Sequence, residues 1–151
     1  QWVYGYPRVP PGERQLTHGT FKYIAGMQPM CAREMLSLVP EAGSVLDLFS
    51  GSGTILIEAL AHGKRVFGAD TSPLALWATR HHTDADNIDV DELVRLAESI
   101  AAPLRGPDRD WPGLRIGIGK LPASPVREAL WFVFAVALHT AAAPTDPSMS
   151  S

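Results

Sequence analysis

The run of residues 44 to 54 constrains the fold of this chain more than any other stretch. A short apolar segment (44–49) leads into a turn that holds Gly51 and Gly53, and the residues after the turn have helical spacing. Glycine permits backbone angles, and a close approach of a ligand, that a Cβ atom would prevent. The run therefore predicts a strand, a tight glycine turn and a helix, in that order.

A second strand follows this helix. Residues 54–62 are predicted as helix with Gly63 as its C-terminal cap, and residues 65–69 as a strand that ends at Asp70. Thr71 or Ser72 suits the N-cap position of a further helix. Strands that alternate with helices of about ten residues predict parallel β-α-β units. We therefore expect an α/β fold with a Rossmann-like, doubly wound and mostly parallel sheet.

The remaining segments are predicted mainly as helix. The first helix begins at Pro29, a good first-turn residue. Its buried face is expected to carry four apolar residues: Cys31, Met35, Leu38 and Val39. Cys31 is expected to be a small buried hydrophobe. Beyond residue 83 we expect helices over about 89–104 and 125–142 and a short strand over 114–118.

The domain organisation follows from where these patterns stop. We expect an irregular N-terminal arm, one partial domain and a disordered tail, at residues 1–26, 27–142 and 143–151. The chain starts with Gln1 rather than Met, which favours a piece of a longer product.

The polar residues around the glycine turn indicate which ligand it suits. A dinucleotide turn needs Gly-x-Gly-x-x-Gly, but the third position here is Leu56, and a phosphate-binding loop needs a Lys that is missing before Thr54. Asp47 would repel a pyrophosphate and suits a cationic group such as an ammonium. Asp70 is placed where a carboxylate accepts ribose hydroxyls. Together these residues favour S-adenosylmethionine, with a nicotinamide-dependent oxidoreductase as the weaker alternative.

The same residues carry a resemblance to a known family. The segment Asp47-Leu-Phe-Ser-Gly-Ser-Gly-Thr54 resembles motif I of the amino-methyltransferases that act on adenine or cytosine exocyclic nitrogens, and of related RNA methylases. The usual form of that motif is Asp-Pro-Phe-Cys-Gly-Ser-Gly-Thr. Residues 66–75 resemble the strand that follows it, and Phe21-Lys22 with Gln28-Pro29 is a weaker echo of an upstream segment. The resemblance covers about residues 20–80.

The resemblance implies roles for five residues. Asp47 and Gly51 would lie at the methionine moiety of S-adenosylmethionine, Phe49 and Gly53 would line the loop, and Asp70 would bind the ribose hydroxyls. From the residues alone, Phe49 is almost equally well explained by core packing. Residues 27–142 would then be a partial methyltransferase domain that binds this cofactor.

The catalytic half of such a site is not found in the sequence. The family's Asp/Asn/Ser-Pro-Pro-Tyr/Phe tetrapeptide does not occur in the 151 residues, so the catalytic residues are unknown. Leu48 and Ser50 replace the usual Pro and Cys, a form also seen among ribosomal RNA methylases. The leading hypothesis is a fragment of an S-adenosylmethionine-dependent N-methyltransferase acting on a nucleic-acid base, DNA favoured over RNA. The alternative is a catalytically inactive cofactor-binding or structural remnant.

Composition bounds the partners of the chain. A formal charge of −3 and a pI near 5.9 argue against binding held by bulk positive charge, but leave a nucleic-acid substrate open. No signal peptide is visible and no apolar stretch reaches the roughly 20 residues of a membrane span, so a cytoplasmic location is expected. Glu58 is expected to be solvated or capping, and His81-His82 to lie at a solvated helix end without a metal. The oligomeric state is left open.

Overall fold

A computed structural model describes residues 16–18, 20–21, 26–104 and 110–142. The chain divides between Asp86 and Asn87 into two compact units, which are taken in turn. The tail at residues 143–151 lies outside the described residues, as does most of the N-terminal arm. The predicted division into arm, domain and tail therefore stays a prediction.

The first unit is a β-α-β arrangement flanked by two further helices. Its elements are, in chain order, α1 (Pro29–Ser37), β1 (Ser44–Asp47), α2 (Thr54–Ala61), β2 (Arg65–Gly68) and α3 (Pro73–Thr83). The strands β1 and β2 are parallel neighbours, with Val45 opposite Val66 and Asp47 opposite Gly68. Helix α2 contacts both strands and also α1 and α3. The prediction of a mixed α/β fold with parallel strands is confirmed at this level.

Local capping signals explain where these elements begin and end. Gly63 has a φ of 70°, its N–H donates to the Leu60 carbonyl at 2.8 Å, and the Lys64 N–H donates to the Ala59 carbonyl at 3.0 Å. This pair of bonds is the Schellman motif that the predicted glycine cap requires. At α3 the Ser72 hydroxyl accepts the Ala75 N–H, which decides the N-cap between the two predicted candidates.

The described part of the second unit consists of helices. They are α4 (Val90–Ala101), α5 (Trp111–Gly119) and α6 (Pro125–Ala142), with a short 3₁₀ turn at Ala102–Leu104 after α4. A further 3₁₀ turn, Ala85–Asn87, spans the boundary between the two units. Helices α4, α5 and α6 all contact one another. The Phe134 ring makes T-shaped contacts with two tryptophan rings, Trp111 and Trp131, each with its centroid 5.9 Å away. Within the described residues, no helix combines the length and apolar character needed to cross a membrane.

The predicted strand over 114–118 is wrong, because these residues belong to α5. Leu114, Ile116 and Ile118 alternate with small or polar residues, which suggests a strand. Leu114 and Ile118 are also four residues apart, and this spacing places both on one helix face. Ile118 is buried while Ile116 is exposed, as a helix requires. The Asp110 carboxylate caps the helix by accepting the Gly113 N–H at 2.9 Å.

The predicted buried face of α1 is also wrong. The residues that the helix buries are Ala32 and Leu36. The four predicted residues are half-buried or exposed: Cys31, Met35, Leu38 and Val39. Ala32 and Leu36 are separated by one helical turn, and α1 packs against α2. The choice of face was therefore made by the partner helix.

Candidate cofactor site

The residues that follow β1 and β2 meet at one edge of the sheet. Beyond the last strand pair, the Ala69 N–H donates to the Asp47 carbonyl at 2.8 Å. The Ser50 N–H then donates to the Ala69 carbonyl at 3.0 Å. These bonds continue the ladder past both strands. The glycine loop, which we define as residues 48–53, therefore lies beside Asp70 at the carboxyl edge, where ligands bind in open α/β sheets.

The two loop glycines adopt the left-handed conformations that the sequence predicts. Gly51 has a φ of 54° and Gly53 a φ of 84°. The Gly53 N–H donates to the Ser50 carbonyl at 2.6 Å, which closes the turn. A Cβ atom on Gly53 would lie 3.1 Å from the Thr79 Cγ2 atom of α3. Gly53 thus satisfies a backbone and a packing requirement at once.

Asp70 contacts the glycine loop directly. Its Oδ2 accepts the Gly51 N–H at 2.9 Å and its Oδ1 accepts the Ser72 N–H at 2.8 Å. These bonds, led by the one from Ser72, lower the pKa of Asp70 below its usual value, so the carboxylate is ionised at neutral pH. Each carboxylate oxygen has a second lone pair. Asp70 can therefore hold the loop and still accept hydrogen bonds from a ligand.

Asp47 and Phe49 come just before the glycine turn and contact each other. The Asp47 Oδ1 accepts the Phe49 N–H at 3.0 Å, which is an Asx-type turn. Phe49 is 83% exposed, so the alternative that it is a core residue is wrong. The five residues predicted to bind the cofactor thus border one loop. Two hydrogen bonds connect members of this group, one from the Phe49 N–H to Asp47 and one from the Gly51 N–H to Asp70.

Two side chains of α3 hold the loop carbonyls, a role that sequence reasoning missed. The Thr79 hydroxyl donates to the Gly51 carbonyl at 2.9 Å. His82 Nδ1 lies 2.7 Å from the Ser52 carbonyl oxygen. Burial lowers the pKa of His82, although the Ser52 carbonyl opposes this effect. The side chain is only 5% exposed, so the predicted solvated position is wrong for His82.

Glu58 is also not the solvated residue that was predicted. Its side chain is 2% exposed. Oε1 lies 2.7 Å from His18 Nε2 and Oε2 accepts the Arg33 Nε–H at 2.8 Å. Burial favours a raised pKa, but the hydrogen bonds from Arg33 and His18 and the attraction of their charges lower the pKa of Glu58 overall. The sequence did contain a signal for the burial of Glu58. The other residues of α2 are mostly apolar, and a helix that is apolar all round is buried all round.

The remaining polar side chains do not form a metal centre in the described part of the chain. The His81 ring packs edge-on against Trp77 with centroids 5.1 Å apart. Among the described residues, no group of three or more His, Cys, Asp or Glu side chains is arranged to hold a metal ion.

Three curated proteins are similar to the chain. A type II methyltransferase, M.MvaI, of Kocuria varians is 40% identical over 96 residues, which is 61% of this chain and 21% of that protein. A ribosomal protein L11 methyltransferase of Lachnospira eligens is 34% identical over 65 residues, 42% of this chain and 20% of that protein. A tRNA (guanine(10)-N2)-dimethyltransferase of Methanothermobacter thermautotrophicus is 39% identical over 77 residues, 50% of this chain and 23% of that protein.

The names of these relatives agree on one class of enzyme. All three are methyltransferases by name, so the predicted resemblance of this chain to S-adenosylmethionine-dependent methyltransferases is confirmed. The matched segments span only about a fifth of the length of these relatives. No protein-family profile and no solved structure matches the chain significantly.

Proposed function

We propose that this chain is the S-adenosylmethionine-binding segment of an N-methyltransferase, with the cofactor held by the glycine loop. The observation that carries the proposal is the bond between Asp70 and Gly51. It joins an ionised carboxylate to a loop of left-handed glycines at the carboxyl edge of parallel strands. The complete fold in this proposal is a doubly wound, mostly parallel sheet of which β1 and β2 are one part.

The residues of the loop fit the chemical groups of this cofactor. The Asp47 carboxylate suits the ammonium of the methionine moiety, and Asp70 suits the two ribose hydroxyls. Gly53, the N-cap residue of α2, provides no side chain to accept the first N–H groups of the helix, which leaves them to attract a carboxylate. Phe49 offers an exposed ring beside the loop. When bound, S-adenosylmethionine supplies an electrophilic methyl group on a sulfonium.

The competing nucleotide cofactors fit the same edge less well. Leu56 is buried, and a Cβ atom on Gly68 would lie 2.7 Å from the Leu56 Cδ1 atom. The glycine that permits close packing of α2 on the sheet is therefore Gly68 of β2. In the dinucleotide fingerprint Gly-x-Gly-x-x-Gly this role belongs to the third glycine, on the helix, where this chain has Leu56. Asp47 also places a negative charge where a pyrophosphate would need positive charge.

The proposed substrate is an amino group of a nucleic-acid base, with DNA favoured over RNA. The resemblance to amino-methylases supports this choice, as do two relatives whose names specify a type II methyltransferase and a tRNA methyltransferase. A cytoplasmic location belongs to the same proposal. The chain lacks the Pro-Pro tetrapeptide of those enzymes, and this observation supports the alternative of a catalytically inactive cofactor-binding or structural remnant.

Calorimetric titration with S-adenosylhomocysteine tests the cofactor assignment. We expect saturable binding to the wild-type chain and a loss of affinity of about tenfold or more in Asp70→Ala, because a charge-assisted contact is removed. Asp91→Ala, at an exposed acidic residue of α4, is the matched control and should bind as the wild type does. A folded wild-type chain without binding would refute the proposal.

A further inference from the structure

We propose that His82 is a positioning residue that holds the Ser52–Gly53 peptide of the glycine loop in its ligand-binding orientation. In this proposal an upstream segment, residues 16–18, 20 and 21, orients the His82 ring. The inference rests on the proposed function, because the orientation matters for the cofactor that the loop is proposed to bind. It adds two groups, His82 and the upstream segment, that the glycine motif itself does not contain.

The contact between His82 and the loop controls a peptide that glycine leaves free to rotate. Ser52 stands between two glycines with positive φ. The carbonyl and N–H of one trans peptide point in opposite directions. Holding the Ser52 carbonyl on His82 therefore keeps the Gly53 N–H directed at the Ser50 carbonyl, 2.6 Å away. A rotated peptide would lose both contacts and open the turn before α2.

The protonation of His82 suits this task. A carbonyl oxygen only accepts hydrogen bonds, so Nδ1 carries the hydrogen that reaches Ser52. Burial lowers the pKa of the ring and favours its neutral form. Nε2 is then the unprotonated nitrogen, and it lies 2.7 Å from the Thr20 hydroxyl. The two ring nitrogens thus connect the loop on one side to the upstream segment on the other.

The upstream segment is itself anchored at two further points. The Thr17 hydroxyl donates to the His82 carbonyl at 3.0 Å. The Thr20 hydroxyl oxygen lies 2.7 Å from both the Thr17 carbonyl oxygen and His82 Nε2, and its single hydrogen is donated to one of the two at a time. His18 is bonded to the buried Glu58 of α2, whose other oxygen is bonded to Arg33 of α1. Burying the Glu58 carboxylate costs free energy unless hydrogen bonds satisfy it. The bond from His18 therefore favours the one placement of the upstream segment in which His18 reaches Glu58. That placement brings Thr20 to the His82 ring.

Two substitutions of His82 separate positioning from general packing. In His82→Asn the amide nitrogen occupies nearly the position of Nδ1 and can still donate to the Ser52 carbonyl. In His82→Gln the amide extends toward the position of Nε2 and cannot reach Ser52 in the same geometry. Both variants remove the imidazole, so a role in packing alone predicts similar defects in both.

The measurement is the Kd for S-adenosylhomocysteine together with amide hydrogen exchange at Gly53 without ligand. We expect His82→Asn to bind nearly as the wild type does, and His82→Gln to bind roughly 2- to 12-fold more weakly, the range of one net hydrogen bond. Exchange at Gly53 should accelerate in His82→Gln only. Thr20→Val should weaken binding by less than His82→Gln does, because like His82→Asn it loses only the contact at Nε2. Thr20→Ser, which keeps the hydroxyl, should bind as the wild type does.

The outcomes distinguish this inference from the proposed function. If the wild-type chain binds and the Asn and Gln variants are equally impaired or equally unaffected, the positioning role is wrong while cofactor binding stands. If the folded wild-type chain does not bind, the proposed function fails and the ligand-binding part of this inference fails with it. Unchanged exchange at Gly53 in His82→Gln would overturn the structural part independently of any ligand.

Discussion

Removing the buried carboxylate of Glu58 should destabilise the first unit by about 2–4 kcal/mol. Glu58 makes two charge-assisted hydrogen bonds, each of which contributes about 1.5–3 kcal/mol in proteins. The bond to Arg33 contributes less to this loss of stability, because the Arg33 side chain is 39% exposed and is hydrated again when Glu58 is removed. The His18 side chain is 8% exposed, so its unpaired nitrogen stays buried and the loss there is nearly complete.

The same carboxylate should make the stability depend on pH in the acid range. The pKa of Glu58 is lowered in the folded chain. Below about pH 4.3, where glutamate in the unfolded chain becomes protonated, the unfolded state therefore binds more protons than the folded state. The stabilising contribution of the Glu58 carboxylate is therefore full above that pH, and it is lost as the pH falls through the lowered pKa of Glu58 in the folded chain. Glu58→Gln removes the titrating group and should flatten this part of the profile.

Urea unfolding followed by circular dichroism measures both effects. At neutral pH, Glu58→Ala should lower the midpoint by about 1 M or more, given a slope of about 1–3 kcal/mol per M. Glu98→Ala and Glu98→Gln, at an exposed position of α4, are the matched controls and should change stability by less than about 0.5 kcal/mol. Equal midpoints for the Glu58 and Glu98 variants, with parallel acid profiles, would show that the buried carboxylate does not stabilise the fold.

Two further predictions concern glycines. Gly53→Ala should lose about 1–2 kcal/mol of stability and weaken cofactor binding, because its φ of 84° strains any Cβ-bearing residue. Gly43→Ala is the control, since a Cβ there meets nothing within 4 Å, and equal unfolding midpoints for the two variants would contradict the argument. Gly117→Ala should cost about 1–3 kcal/mol, because the new Cβ would lie 2.4 Å from the Ile100 Cγ2 atom. Gly119→Ala, with its nearest contact at 4.0 Å, should unfold close to the wild type, and thermal unfolding of both variants tests the difference.

The parts of the fold that sequence reasoning predicted are those set by neighbouring residues. Gly63 ends α2 through bonds within six consecutive residues, and Ser72 with Pro73 begins α3 within four. The short apolar runs at 44–49 and 65–69, separated by a segment of helical spacing, likewise predict parallel strands. For these elements the information and the structure lie in the same few residues.

The errors arose where a contact joins distant segments. Leu114 and Ile118 fit a strand or a helix equally by spacing, and packing in the second unit selects the helix that buries Ile118. The buried face of α1 depends on α2 in the same way. When a local sequence pattern is compatible with both a helix and a strand, or with two faces of one helix, the pattern cannot decide between them. The segment that packs against it decides.

The sequence by itself determined the glycine turn, the acid before it at Asp47 and the acid after it at Asp70, since these residues lie in one continuous run. Only the tertiary structure decided what holds that turn. His82 and Glu58 look like solvated helix residues in sequence, yet both are buried because Thr17, His18 and Thr20 reach them from more than 35 positions away. Burial of a polar side chain depends on a partner that satisfies it, and that partner becomes apparent only when the chain is folded.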